Sequence, residues 1–212
     1  MKLKCILLVI ILFALIPHTF AIDTADWEDV TVNKVTFKIP EKFSNGTLNK
    51  DNTGYTHGEP FDFLIFSLVK NDNLKSMYGY SYNSKHLNDS EETEIAGHHA
   101  VVLYQYNDYY NYDFLEVFFA TGKKIFRIQY NSDNVTDELK EIIKSTPKSE
   151  MTKETFLNKL DNAQRDYSQE SYQKNLEVDL EDSYHTDNNH HKRQYFYYIG
   201  SKGPGVGMSY RW

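Results

Sequence analysis

The residues best suited to metal chemistry are three histidines near the carboxyl end, His185, His190 and His191, which lie beside Asp187. Imidazole is the commonest ligand of transition metals, so this segment could weakly capture a divalent ion. A structural or catalytic metal site needs ligands held by ordered elements, which the polar sequence around these histidines does not predict. A solvated polar tail is therefore the simpler interpretation, and metal capture is an alternative to it.

A second pair of histidines, His98 and His99, could supply general acid–base chemistry together with acidic residues, as in an extracellular hydrolase. Adjacent residues at the start of a strand point to opposite faces of the sheet, so the two rings cannot readily share one site. Structural roles are the simpler prediction, with His98 on a solvated face or His99 at the edge of the core. The hydrolase is kept as a second alternative.

Motifs of nucleophilic and phosphate chemistry do not occur in the sequence. Cys5 is the one cysteine, and the chain has no Gly-x-Ser-x-Gly, His-Glu-x-x-His or phosphate-binding glycine loop before a helix. We therefore assign no catalytic residue and no cofactor from the sequence.

Tyrosine is the most unusual feature of the composition, with 17 in the chain and a dense run between Tyr104 and Tyr112. A tyrosine ring combines a large apolar face with a hydroxyl group, so an exposed cluster can bind sugars or protein surfaces at small entropic cost. Tyr109, Tyr110 and Tyr112 fall on a connection between two predicted strands and form the predicted binding surface. The alternative is that the tyrosines fill the core and cover its rim.

The first 21 residues have the pattern of a cleavable export signal. Two lysines precede an apolar run, and small residues stand three and one positions before a cleavage site after Ala21. The run is interrupted by Pro17 and His18, short of the roughly 20 residues that a membrane span needs. We therefore expect a protein that is secreted or held at the cell surface, and that meets the membrane during export alone.

The net charge of the chain indicates which class of partner to expect. Removing residues 1–21 removes two lysines and no acidic residue, so the formal charge changes from −7 to −9, and nucleic acid is not an expected partner. A cell-envelope component or another exported protein is expected instead. Asn45, Asn88 and Asn134 each begin an Asn-x-Ser/Thr sequon, which export would make accessible to glycosylation.

Apolar and polar residues alternate along several stretches, and this alternation predicts the strands that carry the histidines and tyrosines described above. It predicts strands over residues 30–39 and 61–69, and three antiparallel strands over residues 99–106, 113–119 and 124–130. A long polar loop is predicted over residues 41–60, and at most a short strand or turn over residues 70–97. The strand over 61–69 has apolar residues on both faces, whereas Arg127 and Gln129 predict a solvated second face for the last strand.

Helical periodicity follows the strands. An apolar stripe runs from Val135 to Ile143 and ends at Pro147, with Asn134 as a possible N-cap. A second helix is predicted to begin after Thr152, and its stripe fades near Ser168. The sequence thus predicts a signal peptide over 1–21, an α+β domain over 22–167, and a polar segment with a Gly/aromatic tail over 168–212.

Three stretches carry a family resemblance: Val35-Thr-Phe-Lys-Ile-Pro-Glu-Lys-Phe43, Ile95-Ala-Gly-His-His-Ala-Val-Val102, and Gly122-Lys-Lys-Ile-Phe-Arg-Ile128 before a helix. Over residues 30–145 the chain resembles small exported proteins of methanogenic archaea of unknown function. The order of its elements is similar to the PsbP/Mog1-type α/β/α sandwich. The resemblance implies a noncatalytic binding or accessory role, and it supplies no site residues.

The predicted fold is α+β, with an antiparallel sheet of about five strands packed against two C-terminal helices. The predicted function is that of an exported, noncatalytic binding or accessory module.

Overall fold

The computed structural model describes residues 22–58, 62–68, 70–185, 193–200 and 203–210, with side chains described up to residue 175. The fold is α+β with antiparallel sheets, as the sequence predicts. The described chain divides into two compact units. The first contains the residues up to 69 and His86–Phe156, and the second contains Lys70–Lys85 and the chain from Leu157 onward.

The first unit begins with a hairpin of β1 (Glu28–Val32) and β2 (Val35–Ile39). The prediction of one continuous strand here is wrong, because Asn33 and Lys34 have φ angles of 46° and 64°. Positive φ at both central residues is the geometry of a type I′ turn, which reverses the chain in two residues. Val32 and Val35 pair across the turn, and both are buried.

The main sheet of the first unit follows the hairpin. Its strands are β3 (Thr47–Leu48), β4 (Gly54–His57), β5 (Phe63–Ser67), β6 (Leu87–Ile95), β7 (His98–Asn107), β8 (Tyr112–Thr121) and β9 (Lys124–Tyr130). The order across this antiparallel sheet is β3-β4-β5-β9-β8-β7-β6. The three strands predicted after residue 98 are confirmed as β7, β8 and β9.

The sheet has seven strands among the described residues, not about five. The predicted strand over residues 30–39 lies in the separate hairpin, so four predicted strands and three additional ones make up this sheet. Two of the additional strands, β3 and β4, lie where a polar loop was predicted and are very short. The third, β6, is an edge strand with polar residues on both faces, including Glu91, Glu92 and Glu94. Charged residues on an edge strand prevent pairing with other chains, and they also remove the apolar alternation that would reveal the strand.

One face of the sheet carries the hydrophobic core. The core contains side chains of β2, the central strands and a helix, among them Phe37, Phe63, Val117, Phe119 and Phe126. This helix is Asp137–Lys144, named α3. Phe37 packs edge-on against Phe126, with ring centroids 5.2 Å apart.

The opposite face is also buried in its centre, so the predicted solvated face of β9 is wrong. Leu103 and Phe118 are fully buried there, and the Arg127 side chain is 14% exposed. The strand over residues 61–69 is confirmed as β5, and Leu64 and Ile65 on its two faces are both buried, as predicted.

A helical segment of the second unit was not predicted. It consists of α1 (Asn71–Leu74), a π-helical turn (Lys75–Gly79) and α2 (Tyr80–Tyr82). A Cβ atom at Gly79 would lie 2.5 Å from Cβ of Tyr167 and 2.7 Å from the Ala163 carbonyl oxygen. Glycine therefore permits this segment to approach the long helix of the same unit closely.

The two predicted C-terminal helices are present as α3 (Asp137–Lys144) and α4 (Lys153–His185). Thr136, not Asn134, caps α3 and accepts a hydrogen bond from the Leu139 amide at 3.2 Å. Thr152 caps α4 as predicted and accepts from the Thr155 amide at 3.2 Å. Leu139, Ile142 and Ile143 of α3 pack into the core.

The long helix α4 continues through Ser168 to His185, where no apolar stripe remains. Its side chains from Ser168 to Asn175 are mostly exposed. Among the described residues no helix is long and apolar enough to cross a membrane. A final hairpin pairs β10 (Arg193–Gly200) with β11 (Gly203–Tyr210).

Candidate functional site

The connection between β7 and β8 is held in a defined conformation by one asparagine. Oδ1 of Asn107 accepts hydrogen bonds from the backbone amides of Tyr109 and Tyr110, at 3.1 Å and 3.0 Å. The Asn111 amide donates to the Asn107 carbonyl at 2.8 Å, and Asn111 has a φ of 57°. Asparagine favours both roles, because its short side chain mimics a backbone turn and it tolerates left-handed geometry. The turn therefore presents its two tyrosines in a fixed arrangement.

Four aromatic rings follow one another from this turn into the sheet, and we call them the aromatic row: Tyr109, Tyr110, Tyr112 and Phe114. Tyr109 is 86% exposed and Tyr110 is 51% exposed, whereas Tyr112 and Phe114 are half-buried. The row therefore runs from solvent toward the sheet.

The rings of the row contact one another in sequence. Tyr109 meets Tyr110 edge to face, with centroids 4.6 Å apart. Tyr110 and Tyr112 lie 6.3 Å apart and 29° from parallel, and Tyr112 meets Phe114 edge to face at 6.0 Å. Edge-to-face and offset contacts are favourable between aromatic rings, so each ring restrains the next.

A carboxylate and an amide flank the half-buried end of the row. Nδ2 of Asn131 donates to Oδ1 of Asp62 at 3.2 Å. Asp62 precedes β5 and Asn131 follows β9, and the pairing of Phe63 with Tyr130 brings the two together. Burial raises the pKa of the Tyr112 hydroxyl, and the nearby Asp62 charge raises it further, while a hydrogen bond with the Asn107 side chain opposes both effects. Tyr112 therefore keeps its proton and its capacity to donate.

The site combines exposed ring faces with hydrogen-bonding groups at one end. This composition is typical of noncovalent recognition, in which rings provide contact area and polar groups fix the orientation of the ligand. The aromatic row includes all three residues that the sequence predicted as a binding surface. Asp62, Asn131 and Phe114 were not predicted. Asp62 and Asn131 could have been found as polar residues that directly flank two predicted strands. The pairing of these strands, β5 and β9, is needed to bring the two residues together.

Beyond Phe114, Glu116 of β8 belongs to a largely buried group of polar side chains from three neighbouring strands. We call this group the polar cluster: Gln105, Glu116, Arg127 and Gln129. Successive side chains on one face of a strand are two residues apart, so Tyr112, Phe114 and Glu116 share that face. Glu116 is 2% exposed and Gln105 is 5% exposed.

Both carboxylate oxygens of Glu116 have partners in the cluster. Nη2 of Arg127 donates to Oε1, and Nε2 of Gln105 donates to Oε2 at 2.8 Å. Nη2 of Arg127 also donates to Gln129 Oε1 at 3.0 Å. Within the described part of the chain, Nε of Arg127 is buried without a hydrogen-bond partner. Removing one member of a buried ion pair strongly destabilises a protein, because the remaining charge is left buried without a partner. The cluster therefore has a structural role.

The two central histidines lie on opposite faces of β7, as predicted. His98 is buried, its Nδ1 lies 2.9 Å from the Ala120 carbonyl oxygen, and its ring packs edge-on against Phe119. The predicted solvated position of His98 is therefore wrong, because its side chain extends the core face of β7. His99 is half-buried on the other face.

The histidines predicted to capture a metal lie at the end of the described helix and beyond it. His185 is the last residue of α4, and His190 and His191 lie outside the described residues. Among the residues that the structure does describe, no three His, Cys, Asp or Glu side chains come together as metal ligands.

The three sequon asparagines, Asn45, Asn88 and Asn134, are all exposed. In the second unit, a shallow cleft between α1 and α4 is lined by Asn71, Leu74, Lys159, Asn162, Ala163 and Asp166. It lacks the exposed aromatic faces that distinguish the row.

The fold and the site define an α+β protein with an antiparallel sheet and an exposed aromatic turn. No protein-family model matches the chain, and no curated protein or solved structure is significantly similar to it.

Proposed function

We propose that this protein is exported, remains secreted or at the cell surface after cleavage near Ala21, and acts as a noncatalytic binding module. Its contact surface is the aromatic row, and its partner is a cell-envelope component or another exported protein. The observation that carries the proposal is the exposure of Tyr109 and Tyr110 on a turn fixed by Asn107.

The exposure of these rings is not required by the turn itself. The turn depends on Asn107 and Asn111, so serine at positions 109 and 110 would leave its hydrogen bonds in place. Large aromatic residues enriched on a loop that a rigid sheet supports are typical of binding surfaces.

The experiment compares envelope binding by the purified protein with that of the triple variant Tyr109→Ser, Tyr110→Ser, Tyr112→Ser. Cosedimentation with envelope preparations from the producing cells should fall at least about tenfold in the triple variant, since aromatic residues dominate the energy of such surfaces. Tyr172→Ser is the matched control, because its ring is 60% exposed and lies on α4 of the second unit. Full retention of binding by the triple variant would exclude the row as the contact surface.

Export is tested separately on the producing cells. Fractionation followed by mass spectrometry of the amino terminus should find a mature chain beginning at Ile22 outside the cytoplasm. A cytoplasmic chain that still begins at Met1 would contradict export.

The resemblance to the PsbP/Mog1-type sandwich belongs to the same proposal. It is supported by the antiparallel sheet and by α3 packing on one face of that sheet. An accessory role, in which the protein binds and positions another component, is what this resemblance implies. Copurification from the envelope fraction tests it, because an accessory protein should be recovered with one component in a constant ratio.

A further inference from the structure

We infer that the aromatic row, together with Asp62 and Asn131, binds a neutral polysaccharide. This inference rests on the proposed function and specifies its ligand. Three properties of the site support it: the arrangement of the rings, the polar pair beside them, and the sign of the surrounding charge.

The rings offer flat apolar faces at two angles. Tyr110 and Tyr112 are close to parallel, and the Tyr109 ring stands at 85° to Tyr110. A sugar ring has an apolar face of C–H bonds, whose positive edge is attracted to the negative face of an aromatic ring. We therefore place one sugar unit on the exposed face of Tyr110 beside Tyr109, with the next unit directed toward the half-buried Tyr112.

The polar pair suits hydroxyl groups. A carboxylate has about four acceptor positions, and within the described part of the chain Asp62 uses one of them for the Asn131 amide. The Asn131 side chain can also accept through its own oxygen, and the protonated Tyr112 hydroxyl can donate. Adjacent hydroxyls of a sugar ring both donate and accept, so they match this set of groups better than an apolar protein surface does.

The charge around the row disfavours an anionic polymer as the ligand. Asp62 and Asp108 lie at this end of the sheet, and Asp113 is exposed on the other face of β8. The His86 ring lies 3.2 Å from Asp108 and is charged only when protonated. Like charges would repel a polyanion, whereas a neutral chain has no such cost.

The experiment is affinity electrophoresis of the purified protein in native gels. The gels contain hydroxyethyl cellulose, laminarin or mannan as neutral polysaccharides, and alginate or polygalacturonate as anionic ones. We expect retardation by at least one neutral polymer, and little change in 0.5 M salt, because the contact involves no ion pair.

The variants assign the roles of the residues. Tyr109→Ser with Tyr110→Ser should abolish the retardation. Asp62→Asn should weaken it about tenfold, because a hydrogen bond to a charged group is stronger than one to a neutral group. Tyr172→Ser and Asp161→Asn are the matched controls, since both residues are exposed on α4, and both should behave as the wild type.

Three results would overturn the inference: no retardation by any neutral polymer, retardation by the anionic polymers alone, or retardation that the row variants leave unchanged. The proposed function would survive if the triple tyrosine variant still lost envelope binding. If envelope binding were also unaffected, both the inference and the proposed function would fail.

Discussion

The turn that leads into β8 and the polar cluster farther along that strand have opposite chemistry. At the turn, the apolar rings of Tyr109 and Tyr110 are exposed to solvent. In the cluster, the charged Glu116 and Arg127 are removed from it. Both arrangements cost free energy of folding, because apolar surface is more stable when buried and charge is more stable in water.

The comparison separates binding at the turn from stability in the sheet that follows it. Buried charges are tolerated where each is paired, as Glu116 is by Arg127 and Gln105. Tyr109 and Tyr110 contact each other but stay largely exposed, and under the proposed function a ligand would cover them. We therefore propose binding for the aromatic row and structural support for the polar cluster.

The largest expected effect is the loss of one member of the buried ion pair. Glu116→Ala would leave the guanidinium of Arg127 buried without its counter-ion, and should lower the free energy of unfolding by about 3–5 kcal/mol. Urea denaturation measures this. The double variant Tyr109→Ser, Tyr110→Ser is the contrasting case, because both rings are exposed, and it should change stability by less than about 1 kcal/mol. Equal losses would remove the distinction between the two regions.

Replacing both charges together sharpens the same comparison. Glu116→Leu with Arg127→Met should cost less than Glu116→Ala alone, since two well-packed apolar side chains often replace a buried ion pair at little cost. A double-mutant cycle with the two single variants should show a coupling of about 1–3 kcal/mol. Additive losses would mean that the two charges do not stabilise each other.

Tyr130 provides a buried tyrosine to compare with the exposed ones. Burial, then its hydrogen bond to Glu138, raises the pKa of Tyr130 to about 12. A tyrosine in the unfolded chain has a pKa near 10, so the unfolded state loses this proton first and stability falls as the pH rises from 10 through 12. The contribution is fully present below pH 10.

The measurement is urea denaturation at pH 8 and at pH 11.5 for the wild type and Tyr130→Phe. The wild type should lose up to roughly 2 kcal/mol more than the variant over this range. A parallel decline in both proteins would show that Tyr130 does not contribute to the alkaline loss.

The smallest expected effect concerns the turn that carries the row. Asn107→Ala removes the acceptor of the Tyr109 and Tyr110 amides, and should cost about 1 kcal/mol of stability. Hydrogen exchange at these two amides should become faster, while exchange in the centre of β8 stays slow. Unchanged exchange at Tyr109 and Tyr110 would show that Asn107 does not fix the turn.

The sequence predicted the elements whose residues alternate strongly. β7, β8 and β9 were identified because their apolar positions and turn residues agree. The turn at Asn33 was missed, although the apolar positions change parity from 30 and 32 to 35, 37 and 39. Lys34 in the second position of the turn is not a residue that favours positive φ, so it obscured the hairpin.

Other elements had no local signal. The edge strand β6 is polar on both sides, and the burial of Arg127 depends on its ion pair with Glu116 of the neighbouring strand β8, which periodicity within β9 does not show. The same holds for the site. The tyrosines could be selected from composition and position in the turn, whereas Asp62 and Asn131 come together through the pairing of β5 with β9.

The central claim is tested most directly by measuring envelope binding and urea stability side by side in two variants. One is the triple tyrosine-to-serine variant, and the other is Glu116→Leu with Arg127→Met. The account predicts that the first loses binding although it remains folded in the assay, while the second keeps binding at temperatures where it remains folded. Retained binding in the triple variant, measured on folded protein, would contradict the account.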